Sequence, residues 1–266
     1  MTIKMIAVDM DGTFLNSQQD YDREKFNELY QEMKRQGVRF VIASGNQYYQ
    51  LKSFFPGIED ELSFVAENGA FVVSEGKEVF TGEINHNVIH EVLTILADFD
   101  QGHTILCGKN SAYIAENEPA SFVDHGKKYY HRLKKVPSLL DVQDDTLFKF
   151  ALSFPVEQVT DVLKQLHAAL GDKVIPVSSG HGDVDLIIPG IHKAHGLMKL
   201  QELWGVKNHE IAAFGDSGND LEMLKHAGYS YVMSNGHPTV KVAAKEIILS
   251  NDENGVLIKI EELIGK

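Results

Sequence analysis

The sequence predicts an α/β fold: a doubly wound parallel sheet with a smaller α+β unit inserted into it. Three observations lead there. Short apolar runs alternate with helical patterns at both ends of the chain, and the middle breaks that rhythm with paired strands. The 266 residues also exceed what one small core needs, and 43% hydrophobic residues with 22 Gly and 7 Pro are an ordinary globular composition.

Taken in order, the opening IKMIAVDM reads as a strand buried on both faces. After a turn, YDREKFNELYQEMKRQG sets Phe26, Leu29, Tyr30 and Met33 at helical spacing and stops at Gly37. VRFVIAS follows as a second buried strand, so the first crossover is right-handed and the strands run parallel. SGNQYYQLKSFF reads as a helix, and LSFVAENGAFVV as a third strand that runs through Asn68-Gly69 into a hairpin-like continuation. From Ile84 to Ile187 the order becomes a helix (NVIHEVLTILADF), paired strands (HTILCG and SAYIAE) and a polar helical segment. FKFALSF comes next, then a helix (VEQVTDVLKQLHAAL) and the strands KVIPVSS and VDLIIP. The α/β rhythm returns with helix IHKAHGLMKLQELWG, strand EIAAFGD, helix SGNDLEMLKHAG and strand YSYVMS. A helical segment, a short strand IILS and a closing helix GVLIKIEELIG finish the chain. Residues 1–83 and 188–266 therefore read as one core domain, and 84–187 as an insertion with an antiparallel sheet. There is no internal repeat and no low-complexity linker.

With 38 Asp+Glu against 25 Lys+Arg, the formal charge is -13, which argues against a nucleic-acid partner, since that needs clustered cations. The basic cluster KKYYHRLKK, Lys127 to Lys135, reads as a solvated face. No apolar run approaches the roughly 18 residues of a membrane span. A lone Cys107 forms no internal disulfide, and the N-terminus lacks the basic start and long apolar run of a signal peptide. The expectation is a soluble protein of a reducing cytoplasm, with no membrane partner. Nothing in the sequence fixes an oligomeric state.

An open α/β sheet binds its ligand outside the carboxyl ends of its strands. Four polar clusters fall at those ends: Asp9 and Asp11, Ser44-Gly45-Asn46, Lys193, and the GDSGND run from Asp216 to Asp220. Alone, Asp-x-Asp is also a turn or cap signal, and GDSGND is rich in turn residues. Together they converge on one edge of the sheet, which makes a site out of scattered sequence.

VDMDGTFL, ASGN, HKAHG and GDSGND, in this order and with the insertion before the lysine, resemble the four motifs of the haloacid dehalogenase (HAD) superfamily. ENGA and the place of the insertion resemble its Cof-type branch, with a Rossmann-like core and an α+β cap of the C2B type. Across nearly the whole chain, including SGNQYYQL, FVAENGA and DLIIPGIHKA, the similarity is closest to bacterial sugar phosphatases of the SupH type.

The resemblance implies a phosphoric monoester hydrolase in which Asp9 attacks phosphorus and forms an aspartyl-phosphate, splitting one displacement into two. Asp11 is then acid to the leaving oxygen and base to water; a dehalogenase needs no such proton donor, so its presence favours phosphate esters. Two carboxylates beside a phosphate require a cation, and the resemblance implies Mg²⁺ held by the Asp9 and Asp216 carboxylates and the Asp11 carbonyl. Ser44 is implied to bond a phosphoryl oxygen, and Lys193 to offset its charge and keep Asp9 ionised. The substrate side is assigned to Met10, Ser44, Gly45, Asn46, Lys193 and Asn219, with Asp220 supporting Lys193 or a metal-bound water or serving only as an N-cap. Many Cof-type members carry Thr-Gly-Arg where this chain has Ser44-Gly45-Asn46; the arginine's role does not carry over, and Asn46 reads as a contact to phosphate or sugar hydroxyls.

The cap is expected to close over the site and select the leaving group. Tyr113, Tyr129, Tyr130, His131 and His181 are candidates for a polyol pocket, each also an ordinary packing or surface residue. His192 and His195 flank Lys193 but have no second cluster at zinc spacing, and Met198 and Trp204 share an apolar stripe with Leu197 and Leu200. The leading expectation is a magnesium-dependent phosphatase of small phosphorylated sugars. A sugar phosphomutase and a non-catalytic phosphosugar sensor are the competing readings.

Overall fold

A computed structural model describes residues 2–99, 102–180 and 182–265. The chain begins β1 (Met5–Val8), α1 (Arg23–Gln36), β2 (Arg39–Ala43), α2 (Tyr48–Ser53) and β3 (Ser63–Ala66), followed by a hairpin of β4 (Phe71–Ser74) and β5 (Lys77–Thr81). A second group comprises α3 (His86–Leu96), β6 (His103–Gly108), β7 (Ala112–Ala115), α4 (Ala120–Tyr129), β8 (Leu133–Val136), β9 (Leu147–Ser153), α5 (Val159–Leu170), β10 (Ile175–Gly180) and β11 (Asp183–Ile187). The chain then returns through α6 (Lys193–Trp204), β12 (Ile211–Gly215), α7 (Leu221–His226), β13 (Tyr229–Met233), α8 (Pro238–Lys241), β14 (Glu246–Ile248) and α9 (Gly255–Ile264).

Among the described residues, one sheet has the order β14-β13-β12-β1-β2-β3-β4-β5, parallel from β14 to β3 and antiparallel at β4 and β5. Its strands are apolar on both faces because both are covered. Ile6, Val8, Phe40, Ile42 and Phe64 pack with Phe26, Leu29 and Met33 of α1 and Ile260 of α9. The alternate residues Met5, Ala7, Val41, Ala43 and Val65 pack with Leu197 and Leu200 of α6 and Met223 and Leu224 of α7. Helix α1 starts where the Asp22 carboxylate accepts from Lys25 N at 2.9 Å and stops at Gly37. The α/β expectation is met.

The second sheet runs β10-β11-β9-β6-β7-β8, antiparallel except between β7 and β8. One face is closed by α3 and α5 through Val92, Leu96, Leu106, Phe150, Leu152, Leu166 and Leu186. Alternation turns Lys149, Ser153, Asp183 and Asp185 the other way, toward the carboxyl edge of the first sheet.

Two local expectations are corrected. The third strand does not run through Asn68-Gly69: it ends at Ala66, because Glu67, Asn68 and Gly69 all take positive φ and reverse the chain into β4. Gly69 is needed there, since a Cβ would lie 2.3 Å from the His192 carbonyl oxygen, at the entry to α6. The basic cluster is not one solvated face either. It splits between the end of α4 and strand β8, with Lys127, Lys128, Lys134 and Lys135 exposed but Tyr130 buried against Ile105 and Cys107.

Candidate active site

Strand β1 delivers Asp9, whose N–H still donates to Phe214 of β12 at 3.0 Å, so the carboxylate leaves the sheet at its carboxyl edge. The following loop folds back on the Met10 carbonyl, which accepts from Phe14 and Leu15. Gly12 lets this loop pass the Asp216 carboxylate, whose oxygen would lie 2.8 Å from a Cβ. The Met10 side chain is fully buried in the core and does not line the cavity.

Lys193 opens α6, where the His192 ring accepts from His195 N and caps the helix. Its ammonium is completely buried and donates to Asp9 Oδ1 at 2.5 Å and Asp220 Oδ1 at 2.7 Å. Burial works against that charge, but the Asp220 and Asp9 carboxylates outweigh it and hold the lysine above its usual value. Asp220 Oδ2 accepts from the backbone N–H groups of Asp216 and Ser217 at 2.9 and 3.0 Å, so both of its oxygens are committed. Asp220 thus supports Lys193 and caps its own turn at once. Thr13 Oγ1 donates to Asp216 Oδ1 at 2.8 Å. Burial, against Lys193 and with the repulsion of Asp220 and Asp216, pushes Asp9 well above the carboxylate range. Burial and the Asp220 charge push Asp216 up to about 6. Burial is the larger cause of both shifts.

Ser44 is buried at the end of β2, and its Oγ accepts from Asn46 N at 3.1 Å. Asn46 does not point its amide into open space: Nδ2 donates to Asp11 Oδ2 at 2.6 Å. Asn219 reaches across to Asn68 Oδ1 at 3.1 Å. Asp9, Asp11, Ser44, Gly45, Asn46 and Asn219 all face one cavity, with Lys193 buried beneath. The far wall of the cavity comes from the second sheet, α4 and its C-cap residue: Phe122, His125, Tyr129, Tyr130, Ser153 and Asp183.

Of the candidates for a polyol pocket, Tyr129 and Tyr130 line the cavity. Tyr113 does not: its hydroxyl donates to the buried Asp145 at 2.8 Å, and its work is to hold the second sheet. His131 is exposed and does not line the cavity, and His181 lies outside the described residues. Leu197 and Leu200 are core, whereas Met198 and Trp204 are only half-buried, Trp204 lying under the Arg39 guanidinium at 4.5 Å.

Sequence reasoning missed Lys149, Asp185 and Glu67. Lys149 crosses from β9 to donate to the Gly45 carbonyl at 2.6 Å and to Asp185 Oδ1 at 2.9 Å, with Glu67 Oε2 at 3.6 Å. Asn68 Nδ2 donates to Asp185 Oδ2 at 2.6 Å, linking this cluster to Asn219. The available signal was a charge inside an apolar strand, Lys149 in FKFALSF and Asp185 in VDLIIP, which demands a buried partner.

Glu67 carries a measurable consequence. Burial, opposed by Lys149 and reinforced by Asp185, pushes its carboxyl up to about 7. The native state therefore holds a proton that the unfolded chain releases near pH 4.5, so this group's stabilisation is complete below that pH and is lost as pH rises through 7. The differential is on the order of 3 kcal/mol. The drop in Tm between pH 5 and pH 8 should be smaller in Glu67→Gln than in the wild type; equal drops would remove Glu67 as its source.

A doubly wound sheet with carboxylates gathered at the end of a central strand, and a second sheet facing them across a cavity, is the build of an enzyme for a small ligand. Residues 6–260 match the family model described as haloacid dehalogenase-like hydrolase, and the chain belongs to that family. It is 50% identical over 264 residues to the 5-amino-6-(5-phospho-D-ribitylamino)uracil phosphatase YbjI of Escherichia coli, covering 99% of this chain and 97% of that one. A Bacillus subtilis protein of the same described activity, YitU, is 26% identical, covering 97% of this chain and 96% of its own. The crystal structure of SMU.1108c from Streptococcus mutans superposes with a TM-score of 0.95 at 33% identity, over all of both chains. The expected family, fold and enzyme class are borne out: the chain is a phosphatase, a phosphoric monoester hydrolase. No described helix is long and apolar enough to cross a membrane.

Proposed function

We propose that this phosphatase is magnesium-dependent and hydrolyses a small phosphorylated polyol, with a ribitylaminouracil phosphate, as in the name of the Escherichia coli relative, ahead of simple sugar phosphates. One observation carries the reading: an acidic floor with a buried lysine faces a wall of Phe122, His125 and Tyr129 across a single cavity. The floor suits a phosphoryl group, and the aromatic wall suits a flat heterocycle better than a hexose. Residues 84–187 act as the cap that brings this wall over the core.

The floor fits a hard divalent cation. Asp9, Asp216 and Asp220 offer oxygens within 4.8 Å of one another, a set of hard carboxylate donors beside the one ammonium of Lys193. Asp220 is already saturated, so Asp9, Asp216 and the Asp11 carbonyl would hold the ion. Magnesium supplies positive charge that neutralises these carboxylates and the phosphoryl oxygens.

The residues then divide the work. Asp9 attacks phosphorus; the new P–O bond forms as the ester P–O bond breaks, and the leaving oxygen takes its proton from Asp11. Water attacks the aspartyl-phosphate, Asp11 accepts the water's proton, and Asp9 is released with inorganic phosphate. Ser44 and the backbone after it hold phosphoryl oxygens, and Lys193 aims Asp9 and, together with the bound cation's charge, would favour its ionised form. A second phosphate is poorly served: among the described lining residues the one lysine or arginine is Lys149, already spent on Gly45 and Asp185, and Asp183 stands nearby. This speaks against the mutase reading, which needs a bisphosphate.

Phosphate release from 5-amino-6-(5-phospho-D-ribitylamino)uracil, ribose 5-phosphate, erythrose 4-phosphate and flavin mononucleotide, with Mg²⁺ or EDTA, tests the proposal. Release should need Mg²⁺, with kcat/KM for the uracil compound at least about 10-fold above the sugars. Equal values across the panel would remove the heterocycle from the proposal, and release unaffected by EDTA would remove the metal.

A further inference from the structure

Asn46 and Asp11 both line the cavity and meet from the loops that follow β2 and β1. The Asn46 main chain is held on both sides, its N–H on Ser44 Oγ at 3.1 Å and its carbonyl accepting from Glu67 N at 3.2 Å. From that fixed base, Nδ2 reaches Asp11 Oδ2 at 2.6 Å. Asp11 Oδ1, in contrast, is buried with no hydrogen-bond partner. One oxygen of the carboxyl is anchored and the other is free.

The asymmetry has chemical content. An oxygen that already accepts from an amide N–H is the poorer place for a carboxyl proton, since that proton would compete with the amide for the same small space. The proton belongs on the unanchored oxygen, the one that has no partner of its own. We propose that Asn46 is a positioning residue: its amide pins Asp11 Oδ2 so that Oδ1 presents the proton to the departing ester oxygen. The inference rests on Asp11 being the acid, as read above. It replaces the expected role of Asn46 as a contact to phosphate or sugar hydroxyls with a role exercised through Asp11.

Leaving groups separate these roles. Ribose 5-phosphate expels an alkoxide that must be protonated, whereas 4-nitrophenyl phosphate expels a phenolate that needs no proton. The quantity to compare is kcat/KM, which covers only steps through formation of the aspartyl-phosphate and so excludes the later use of Asp11 as base. For Asn46→Ala, kcat/KM with ribose 5-phosphate should fall about 10- to 100-fold, and with 4-nitrophenyl phosphate by less than about 3-fold, within the range of general acid catalysis. Asp11→Ala, measured alongside, should show the same asymmetry more strongly. If Asp11→Ala lowers both substrates equally, the assignment of Asp11 as acid fails and the positioning role with it. If Asp11→Ala is asymmetric but Asn46→Ala is not, the positioning role alone is overturned, and an equal rise in KM for both esters would return Asn46 to binding phosphate.

Discussion

Asp9→Asn should abolish phosphate release, by at least about 10⁴-fold, while leaving the chain folded and no less stable. The two halves of this expectation have one origin. Asp9 is 5% exposed, and burial with the neighbouring Asp220 and Asp216 charges holds its carboxyl far from the state it would prefer in water. An amide of the same shape removes that strain and the proposed nucleophile together. Lys193 keeps Asp220 as partner at 2.7 Å, so no ammonium is left unpaired. Thermal denaturation and phosphate release on the same preparation decide the matter: a Tm at or above the wild-type value with no turnover is expected. Turnover within about 10-fold of wild type would place the nucleophile elsewhere.

Lys193→Met should be damaging in both respects. It leaves Asp9 and Asp220 buried and facing each other without a cation, and breaking a buried pair in this way typically destabilises by about 3–5 kcal/mol. On the role proposed for Lys193, kcat should also fall by about 10²- to 10³-fold. A second change separates the effects. Lys193→Met combined with Asp220→Asn removes one of the stranded carboxylates, so the denaturation midpoint should recover in part while kcat does not. Parallel recovery of both would mean that Lys193 acts only as a structural counter-ion.

The floor of the site was legible in the sequence because it depends on topology more than on detail. Once IKMIAVDM, VRFVIAS and EIAAFGD are read as parallel strands, their carboxyl ends must share an edge, and Asp9, Ser44 and Asp216 come together with them. Lys193 followed from its place at the start of the returning helix. The far wall was less legible. Phe122, His125 and Tyr129 share a face of α4, and what that face looks onto depends on how the second sheet meets the first. Strand β8 was missed because LKKV carries a strand's backbone pairing with almost none of its apolar pattern. The turn at Glu67–Gly69 was missed because a run of positive φ leaves only Asn and Gly as its trace, and these also mark hairpins. The expectation of sugars as substrates rested on the resemblance, and of the wall side chains the sequence offered only Tyr129 and Tyr130.

The bonds made by Lys149 and Asp185 also bear on how this protein could be rebuilt. The two residues belong to the second sheet, yet their partners Gly45, Glu67 and Asn68 belong to the first, and Gln47 adds a two-way pairing with the Arg132 backbone at 2.9 and 3.0 Å. Exchanging the inserted segment with that of a distant relative, an obvious way to engineer new specificity, would strand several buried polar groups unless positions 45–47 and 67–68 travelled with it. On the proposed division, the segment 84–187 is thus not a self-contained module. Its natural graft is discontinuous, and chimeras cut only at the two crossing points should fold poorly however well their cavities are designed.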